Sequence, residues 1–349
     1  QTVDLVGELA FGTVNTSANA RQSLRYQIRP LGYGTNADFY LYNDHYKAGS
    51  TGTDQARRLV EAEDVRDNAD DLGDGQHIIY AGDYNIKSSF EGMYGELLSA
   101  GNGQAFDPID SPGAWFNSSF FKSIHTQSPV TSSRFSGQVT GGMDDRFDFQ
   151  LVTGEFLDGE GLSIIPGSYH ALGNNGTHPL NGELDHASNT ALTPAELTAI
   201  ANSSDHLPVV ADYQLPAIMQ VTLGAAPAQV ISGASVDVSA LIENVAPVAH
   251  TLGADELDYS LAGIGDGSGL YGGSVLALSG GASHDITLDT AGAAGAKSVQ
   301  VLAASSSQGV VDGNFSQFVN FDLLDHANGS FDGALDESYL ARARPLGHS

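Results

Sequence analysis

The feature that most constrains the fold is a predicted helix between two apolar segments of strand length. Apolar residues recur every three or four positions over residues 53–72, which predicts an amphipathic helix that ends at Gly73. Residues 38–44 alternate polar and apolar side chains, and residues 76–85 contain a continuous apolar run, so both are predicted strands. The order strand, helix, strand, with a second helix predicted over 89–100, indicates an α/β layer.

The pattern changes after about residue 214. Residues 217–331 contain many short Val, Leu and Ala segments separated by Gly, Ala and Ser turns, without a strong helix pattern. The sequence therefore predicts an α/β domain over residues 1–214, an all-β sandwich over 217–331 and a tail over 332–349.

Charge is distributed unevenly. The 14 Lys and Arg residues against 42 Asp and Glu give a net charge of −28, which argues against a protein that coats nucleic acid non-specifically. Because 11 of the basic residues lie between Arg21 and Arg146, a polyanion is expected to bind in that part of the chain. No apolar run approaches the roughly 18 to 20 residues of a membrane span. The absence of cysteine excludes disulfides and leaves the compartment open. The abundance of Asp, Gly, Ser and Asn, with only four lysines, resembles the composition of extracellular or cell-surface bacterial proteins.

Four polar clusters lie at the ends of predicted strands in the first domain, where α/β proteins form their sites. They are Asn43, His45 and Lys47 in YNDHYKAG, Asp83 and Asn85 in GDYN, Asp145, Arg146 and Asp148 in DDRFD, and Asp205 and His206 in SDH. Phosphodiester hydrolysis requires a cation held by oxygen ligands, a base that activates water, and donors for the phosphate oxygens. The clusters contain all of these groups. Asp205 is a candidate metal ligand, and His206 is a candidate base if a carboxylate such as Asp148 fixes its tautomer.

In this order the clusters resemble the endonuclease/exonuclease/phosphatase family, whose later half contains N-x-H, G-D-x-N, R-x-D and S-D-H. All four occur over residues 38–212. The resemblance implies a deoxyribonuclease-I-like fold, an α+β four-layer sandwich, in its first domain. It also implies metal-dependent phosphodiester hydrolysis, with Mg²⁺ as cofactor and Mn²⁺ or Ca²⁺ as alternatives.

Roles in that family are transferred only to the matching positions. The resemblance implies that His45 contacts the scissile phosphate, and that Asp83 and Asn85 orient the nucleophilic water and the phosphate. It implies a catalytic pair of His206 and Asp148.

The resemblance also assigns roles around that centre. Asp205 is implied as a metal ligand. Asn43, Lys47 and Arg21 or Arg25 are candidate phosphate contacts, with solvated surface charge as the favoured alternative for each of the basic residues. Arg146 is expected to support the strand end rather than to touch substrate. His125, in SIHTQSP, is predicted either to lie near substrate or to cap a loop.

One part of the family pattern is missing. An Asn and a Gln-Glu pair that supply the main magnesium ligand do not precede His45, and Glu8 is expected to be an ordinary surface residue. The domain is therefore predicted to be partial. Three explanations stay open: a second chain completes the domain, the domain was truncated after synthesis, or the scaffold is kept without the chemistry.

Two functions follow. The first is an extracellular metal-dependent phosphodiesterase or nuclease acting on nucleic acid or another phosphodiester. The alternative is a catalytically incomplete structural, surface or filament-forming protein, since half of a sandwich exposes a sheet edge that favours a second chain or self-assembly.

Overall fold

The computed structural model describes residues 2–327. The predicted tail, and residues 328–331 of the predicted β-sandwich, lie outside the described residues. The helices are α1 (Gly52–Asp70), α2 (Gly92–Leu97) and α3 (Pro194–Ser203). The strands of the first part are β1 (Val3–Phe11), β2 (Ser23–Pro30), β3 (Phe39–His45), β4 (Ile78–Asp83), β5 (Asp148–Val152), β6 (Ser163–Ile164), β7 (His170–Ala171), β8 (Val209–Val210) and β9 (Tyr213–Gln214). Those of the second part are β10 (Met219–Leu223), β11 (Gln229–Ile231), β12 (Asp237–Asn244), β13 (Leu257–Gly265), β14 (Gly267–Val275), β15 (Ala282–Leu288), β16 (Gly295–Ser305) and β17 (Asn314–Leu324).

A five-stranded sheet with the order β1-β2-β3-β4-β5 organises the first part of the chain. Strands β3 and β4 are parallel and are connected by α1, whereas the other neighbouring pairs are antiparallel. This is the predicted strand, helix, strand unit in a mixed, sheet-rich α/β structure. Helix α1 begins with a capping box, in which Thr51 and Asp54 each bond the backbone of the other.

The core of the first part lies between this sheet and helices α1 and α2. Its buried side chains are mostly aromatic on the strands and small or aliphatic on the helices. They include Tyr42, Ala62, Val65, Ile78, Tyr80, Leu97, Trp115, Phe149 and Leu151. Burying side chains of this size supplies most of the energy that holds the layer together.

The structure differs from the sequence pattern in three places. Residues Ser23–Pro30 form β2, a strand that was not predicted; SLRYQIRP does alternate, and β2 pairs with both β1 and β3. The segment 204–215 has the pattern of one strand but forms no single strand, because β8 bonds to β7 whereas β9 bonds to β6. Helix α3 was not predicted, although Thr193 and Glu196 form a capping box around a proline at its first turn.

Strands β10 to β17 form one eight-stranded sheet in the order β10-β12-β15-β14-β13-β16-β17-β11. Side chains from both halves of this strand order, such as Ile242 and Ile286 on one side and Leu261 and Val301 on the other, share one buried core. The sheet therefore folds over itself. Tyr33 connects the two parts of the chain, because its hydroxyl donates to the carbonyl of Pro216 at 2.8 Å. Within residues 2–327 no helix combines the length and hydropathy needed to cross a membrane.

A buried acid on β3 predicts a pH-dependent stability. Asp44 is 4% exposed and forms no ion pair within residues 2–327, and the Ser23 hydroxyl offsets only part of the cost of burying its charge. Burial raises the pKa of Asp44 to about 7. An acid with a raised pKa in the folded state costs nothing at low pH, where it is protonated in both states. It destabilises the fold increasingly as the pH rises from about 4 to 7.

We therefore expect Asp44→Asn to stabilise the protein at pH 8 by about 2 to 4 kcal/mol and to change little at pH 4. Urea denaturation at the two pH values measures this difference. Asp322→Asn, which removes an exposed acid from β17, is the control for the change in net charge. An equal effect of the two substitutions at pH 8 would contradict the assignment of a buried, unpaired acid.

Candidate functional site

The register of the first sheet brings three predicted site residues into one row. His45 lies opposite Asp83 between β3 and β4, and Asp83 lies opposite Asp148 between β4 and β5. Residues in register on neighbouring strands point to the same face of the sheet, so the three side chains lie next to each other. The distance from His45 Nε2 to Asp83 Oδ2 is 3.4 Å.

His206 approaches this row from the loop after α3. Its Nδ1 lies 2.8 Å from Asp148 Oδ2, and its Nε2 lies 3.8 Å from Asp83 Oδ2. Thr126 holds the two segments together. Its hydroxyl accepts from the backbone N–H of Asp148 at 3.1 Å, and its carbonyl accepts from that of Leu207 at 2.8 Å. Residues 58 positions apart in sequence thus form the predicted pair.

Asn85 completes the turn after β4. Its backbone N–H donates to Asp83 Oδ1 at 3.0 Å, and its amide nitrogen donates to the carbonyl of Tyr46 at 3.3 Å. Asn85 has a φ of 53°, the left-handed conformation that asparagine adopts more readily than most residues. The G-D-x-N segment therefore fixes the Asp83 carboxylate toward the two histidines.

The acids and histidines of the row shift each other's protonation. Burial opposes the charged form of His206, but the hydrogen bond and charge of Asp148, with Asp83 and Asp205, outweigh it and raise the pKa of His206 to about 8. Burial raises the pKa of Asp83 to about 6, partly offset by His206. Burial, followed by the charge of Arg21, lowers the pKa of His45. At neutral pH this favours a charged His206 and a neutral His45.

Other predicted contacts lie around the row. Asn43 is exposed and lies two residues before His45 on the same face of β3, in the cleft. The ammonium of Lys47 is held by Asp54 at 2.8 Å, near the start of α1. Asp205 Oδ2 accepts from the backbone N–H of Val139 at 3.2 Å, and Asp205 is not among the residues whose ligand atoms converge.

Arg146 is buried and is not among the residues that line the cleft. Its guanidinium forms two hydrogen bonds with Asp107, at 2.8 and 3.0 Å, and stacks over the rings of Trp115 and Phe149. Both partners of this ion pair are buried. The arrangement agrees with the expected supporting role, and Asp107 is the partner that sequence reasoning did not find.

Gln127 is a site residue that sequence reasoning missed. Its amide nitrogen lies 2.6 Å from His206 Nε2, the nitrogen that is not bonded to Asp148. If His206 is neutral with its proton on Nδ1, its Nε2 accepts a hydrogen bond from the amide N–H of Gln127. If His206 is charged, Nε2 donates instead, and the amide oxygen of Gln127 must face it. His125, two residues earlier, is fully buried and bonds the carbonyl of Trp115, so it serves the loop rather than the cleft.

Gln127→Glu should raise the pKa of His206 further, by about one unit, because a carboxylate beside Nε2 stabilises the imidazolium. The pH dependence of the His206 ring signals in NMR measures this shift. Gln229→Glu, on exposed β11, adds the same charge far from the site and should leave the signals unchanged. An unshifted His206 in the Gln127 variant would show that the two side chains do not touch.

Asp83, Asp148 and His206 each offer a ligand atom, and these atoms lie within 4.8 Å of one another. The donor set suits a hard divalent cation, because Mg²⁺ is commonly held by one or two carboxylates together with substrate phosphate oxygens. His206 already bonds Asp148 and Gln127, so the carboxylates are the better ligands.

No protein-family model matches this chain, and no curated protein matches it. Solved structures are similar to it at low identity. They include the human Nocturnin catalytic domain with bound sulfate (16% identity, 61% of this chain and 60% of that chain, TM-score 0.36). A second is an endonuclease/exonuclease/phosphatase family protein from Bacteroides thetaiotaomicron (17%, 60% and 64%, 0.34). A third is D. rerio TDP2 complexed with a single-strand DNA product (14%, 61% and 69%, 0.35). The chain thus spans 60 to 69% of the length of these three chains.

Proposed function

We propose that this protein is a metal-dependent hydrolase of phosphoesters. The observation that supports this most is the row of His45, Asp83 and Asp148 with His206 bonded to its end. It places a base, a carboxylate that orients the base, and a carboxylate suited to a cation within one cleft. The cleft is open, has a volume of about 350 Å³ and also contains Asn43 and Gln150 on its floor.

His206 is the group that activates water in this mechanism. Asp148 holds the proton of the neutral ring on Nδ1, so Nε2 takes the proton of the water whose oxygen attacks phosphorus. The ester P–O bond breaks as the new P–O bond forms, and the departing alcohol oxygen takes up a proton. Because Gln127 bonds Nε2 in the structure, its amide must move aside for water to reach that atom.

His45 and Asn85 stabilise the phosphate oxygens. His45 is half exposed at the mouth of the cleft, and as a neutral imidazole it donates a single N–H bond. Asn85 supplies amide donors next to Asp83. A divalent cation held by Asp83 and Asp148 would neutralise charge that develops on these oxygens.

Hydrolysis of bis(p-nitrophenyl) phosphate with and without Mg²⁺ tests the proposal. We expect activity that EDTA removes and that added Mg²⁺ or Mn²⁺ restores. Since His206 must be neutral to accept a proton and its pKa is raised to about 8, kcat/KM should rise with pH up to about 8 and then level off. Activity that is unaffected by EDTA, or that falls over this range, would refute the assigned chemistry.

A self-assembling or two-chain form is the second candidate, and the edge strand β1 favours it. Leu5, Val6 and Leu9 of this strand are 58%, 44% and 39% exposed. Apolar edge strands pair readily with other chains. Light scattering at increasing protein concentration measures assembly, and Leu5→Lys should reduce it. A constant monomer mass would exclude self-assembly through β1. An assembled but inactive protein would support a structural or cell-surface role.

A further inference from the structure

Positive side chains in this protein are largely engaged by acids. Among the twelve Lys and Arg residues that the structure describes, seven form ion pairs with a carboxylate. These are Arg29, Lys47, Arg58, Arg66, Arg134, Arg146 and Lys297. Six of the eleven basic residues in the cluster predicted to bind a polyanion are thus paired with acids.

The remaining cations offer little positive charge to the cleft. Arg25 donates to Asn68, Arg57 to the carbonyls of Asn15 and Ala18, and Lys122 to that of His178. Lys87 lies over the ring of Phe116, with its Nζ 3.5 Å from the ring centroid.

Arg21 is the cation that lies beside the site. Its guanidinium donates to the carbonyls of His45 and Tyr46 at 3.2 and 3.4 Å. Its positive charge is opposed by the carboxylates of Asp83 and Asp148 in the row and by that of Asp205 beside His206. With His206 in the neutral form that accepts a proton, the local field is therefore acidic, and one bound divalent cation would offset about one phosphate group.

The cleft floor beyond the row is neutral. It is lined by Asn43, Ala81, Gln150 and the segment 207–209. The Gln150 amide is already engaged by Val209 and Tyr213, whereas Asn43 is exposed and can bond a hydroxyl group. The whole cleft, including the row, has a volume of about 350 Å³, which suits one phosphate together with a small alcohol or sugar.

We propose that the site acts on a compact phosphoester with a single phosphate and a small uncharged alcohol, and not on a polynucleotide. This inference rests on the proposed phosphoester hydrolysis. A nucleic-acid strand is bound through several phosphate contacts, each of which needs a free cation, and binding then weakens as salt rises. The charges of this cleft satisfy one phosphate at most and repel its neighbours.

The test compares glycerol 3-phosphate or glycerophosphoglycerol with a labelled 20-nucleotide single-stranded DNA, using the full chain with Mg²⁺ at 20 and 200 mM NaCl. We expect at least one small ester to be hydrolysed with a kcat/KM that changes less than about twofold between the two salt concentrations. The DNA should be cleaved at least 100-fold less efficiently and should show no saturable binding by fluorescence anisotropy at 100 µM protein. Efficient DNA cleavage, or DNA binding that salt weakens, would overturn the substrate assignment and leave the proposed chemistry intact. Failure to hydrolyse either kind of substrate, in a protein that hydrolyses bis(p-nitrophenyl) phosphate, would overturn the substrate assignment alone, and failure with all three esters would overturn both proposals.

Adding one positive charge to the cleft provides an internal check. Asn43→Lys should bring saturable DNA binding into the range below 100 µM protein at 20 mM NaCl, because it supplies a second phosphate contact. Asn320→Lys places the same charge on exposed β17 and should have no effect. Equal changes in the two variants would show that the charge of the cleft does not determine whether DNA binds.

Discussion

His206→Ala is expected to lower kcat for phosphoester hydrolysis by about 10²- to 10⁴-fold, the usual contribution of a positioned general base. The substitution removes Nε2, which accepts the proton of water, and leaves Asp148 without its partner at 2.8 Å. Asp148→Asn should produce a loss of similar size, because an amide no longer selects the Nδ1–H tautomer of the ring. Initial rates with bis(p-nitrophenyl) phosphate and saturating Mg²⁺ measure both losses.

His186→Ala is the matched control. His186 is exposed and bonds Ser188 outside the cleft, so its removal should leave the rate within about twofold of the original protein. A His206 variant that keeps more than half of the activity would exclude His206 as the base. Gln127 and Asp83 would then be the first positions to examine, because both lie within 4 Å of the same nitrogen.

Asp107→Ala is expected to destabilise the fold by about 3 to 5 kcal/mol, the range measured when one partner of a buried ion pair is removed. Arg146 is 1% exposed, so its charge would remain in the interior without a carboxylate. Urea denaturation followed by circular dichroism gives the loss. Glu183→Ala removes a 39%-exposed partner of Arg134 and should cost less than about 1 kcal/mol.

A double replacement separates the charge from the packing. Asp107→Leu combined with Arg146→Met removes both charges and keeps apolar contacts with Trp115 and Phe149. It should recover much of the stability lost in Asp107→Ala, since a buried ion pair is often no more stabilising than well-packed apolar side chains. A double variant as unstable as the single one would show that specific hydrogen bonds, not an uncompensated charge, account for the loss.

The order of elements around α1 was predictable because the signals there are local. Helical spacing of apolar residues, the Thr51 cap and two apolar flanks all occur within one stretch of chain. The order of the polar clusters was equally visible, and the structure brings His45, Asp83, Asn85, Asp148 and His206 together. The sequence could not indicate the roles of the side chains that surround this row. The sequence left Lys47 as a candidate phosphate contact, whereas the structure shows its ammonium in an ion pair with Asp54.

Interactions between distant segments were not predictable from one sequence. Asp107 and Arg146 are 39 positions apart, and Gln127 and His206 are 79 positions apart; no periodicity links either pair. The sequence pattern was a poor guide where pairing with distant strands decides the structure. The pattern of residues 204–215 fits one strand, but its two halves bond to different neighbours. Helix α3 and β2, in contrast, carried local signals that could have been recognised.

The Thr126 bridge, which joins the loop of His206 to the strand of Asp148, has a consequence for the order of folding. Its partners close loops of roughly 20 and 80 residues, and such distant contacts form late because the chain must first lose the corresponding entropy. During refolding from urea, the helical signal of α1 should therefore return before hydrolytic activity does. Newly made chains would pass through a stage in which the first sheet is formed but His206 is not yet held beside Asp148.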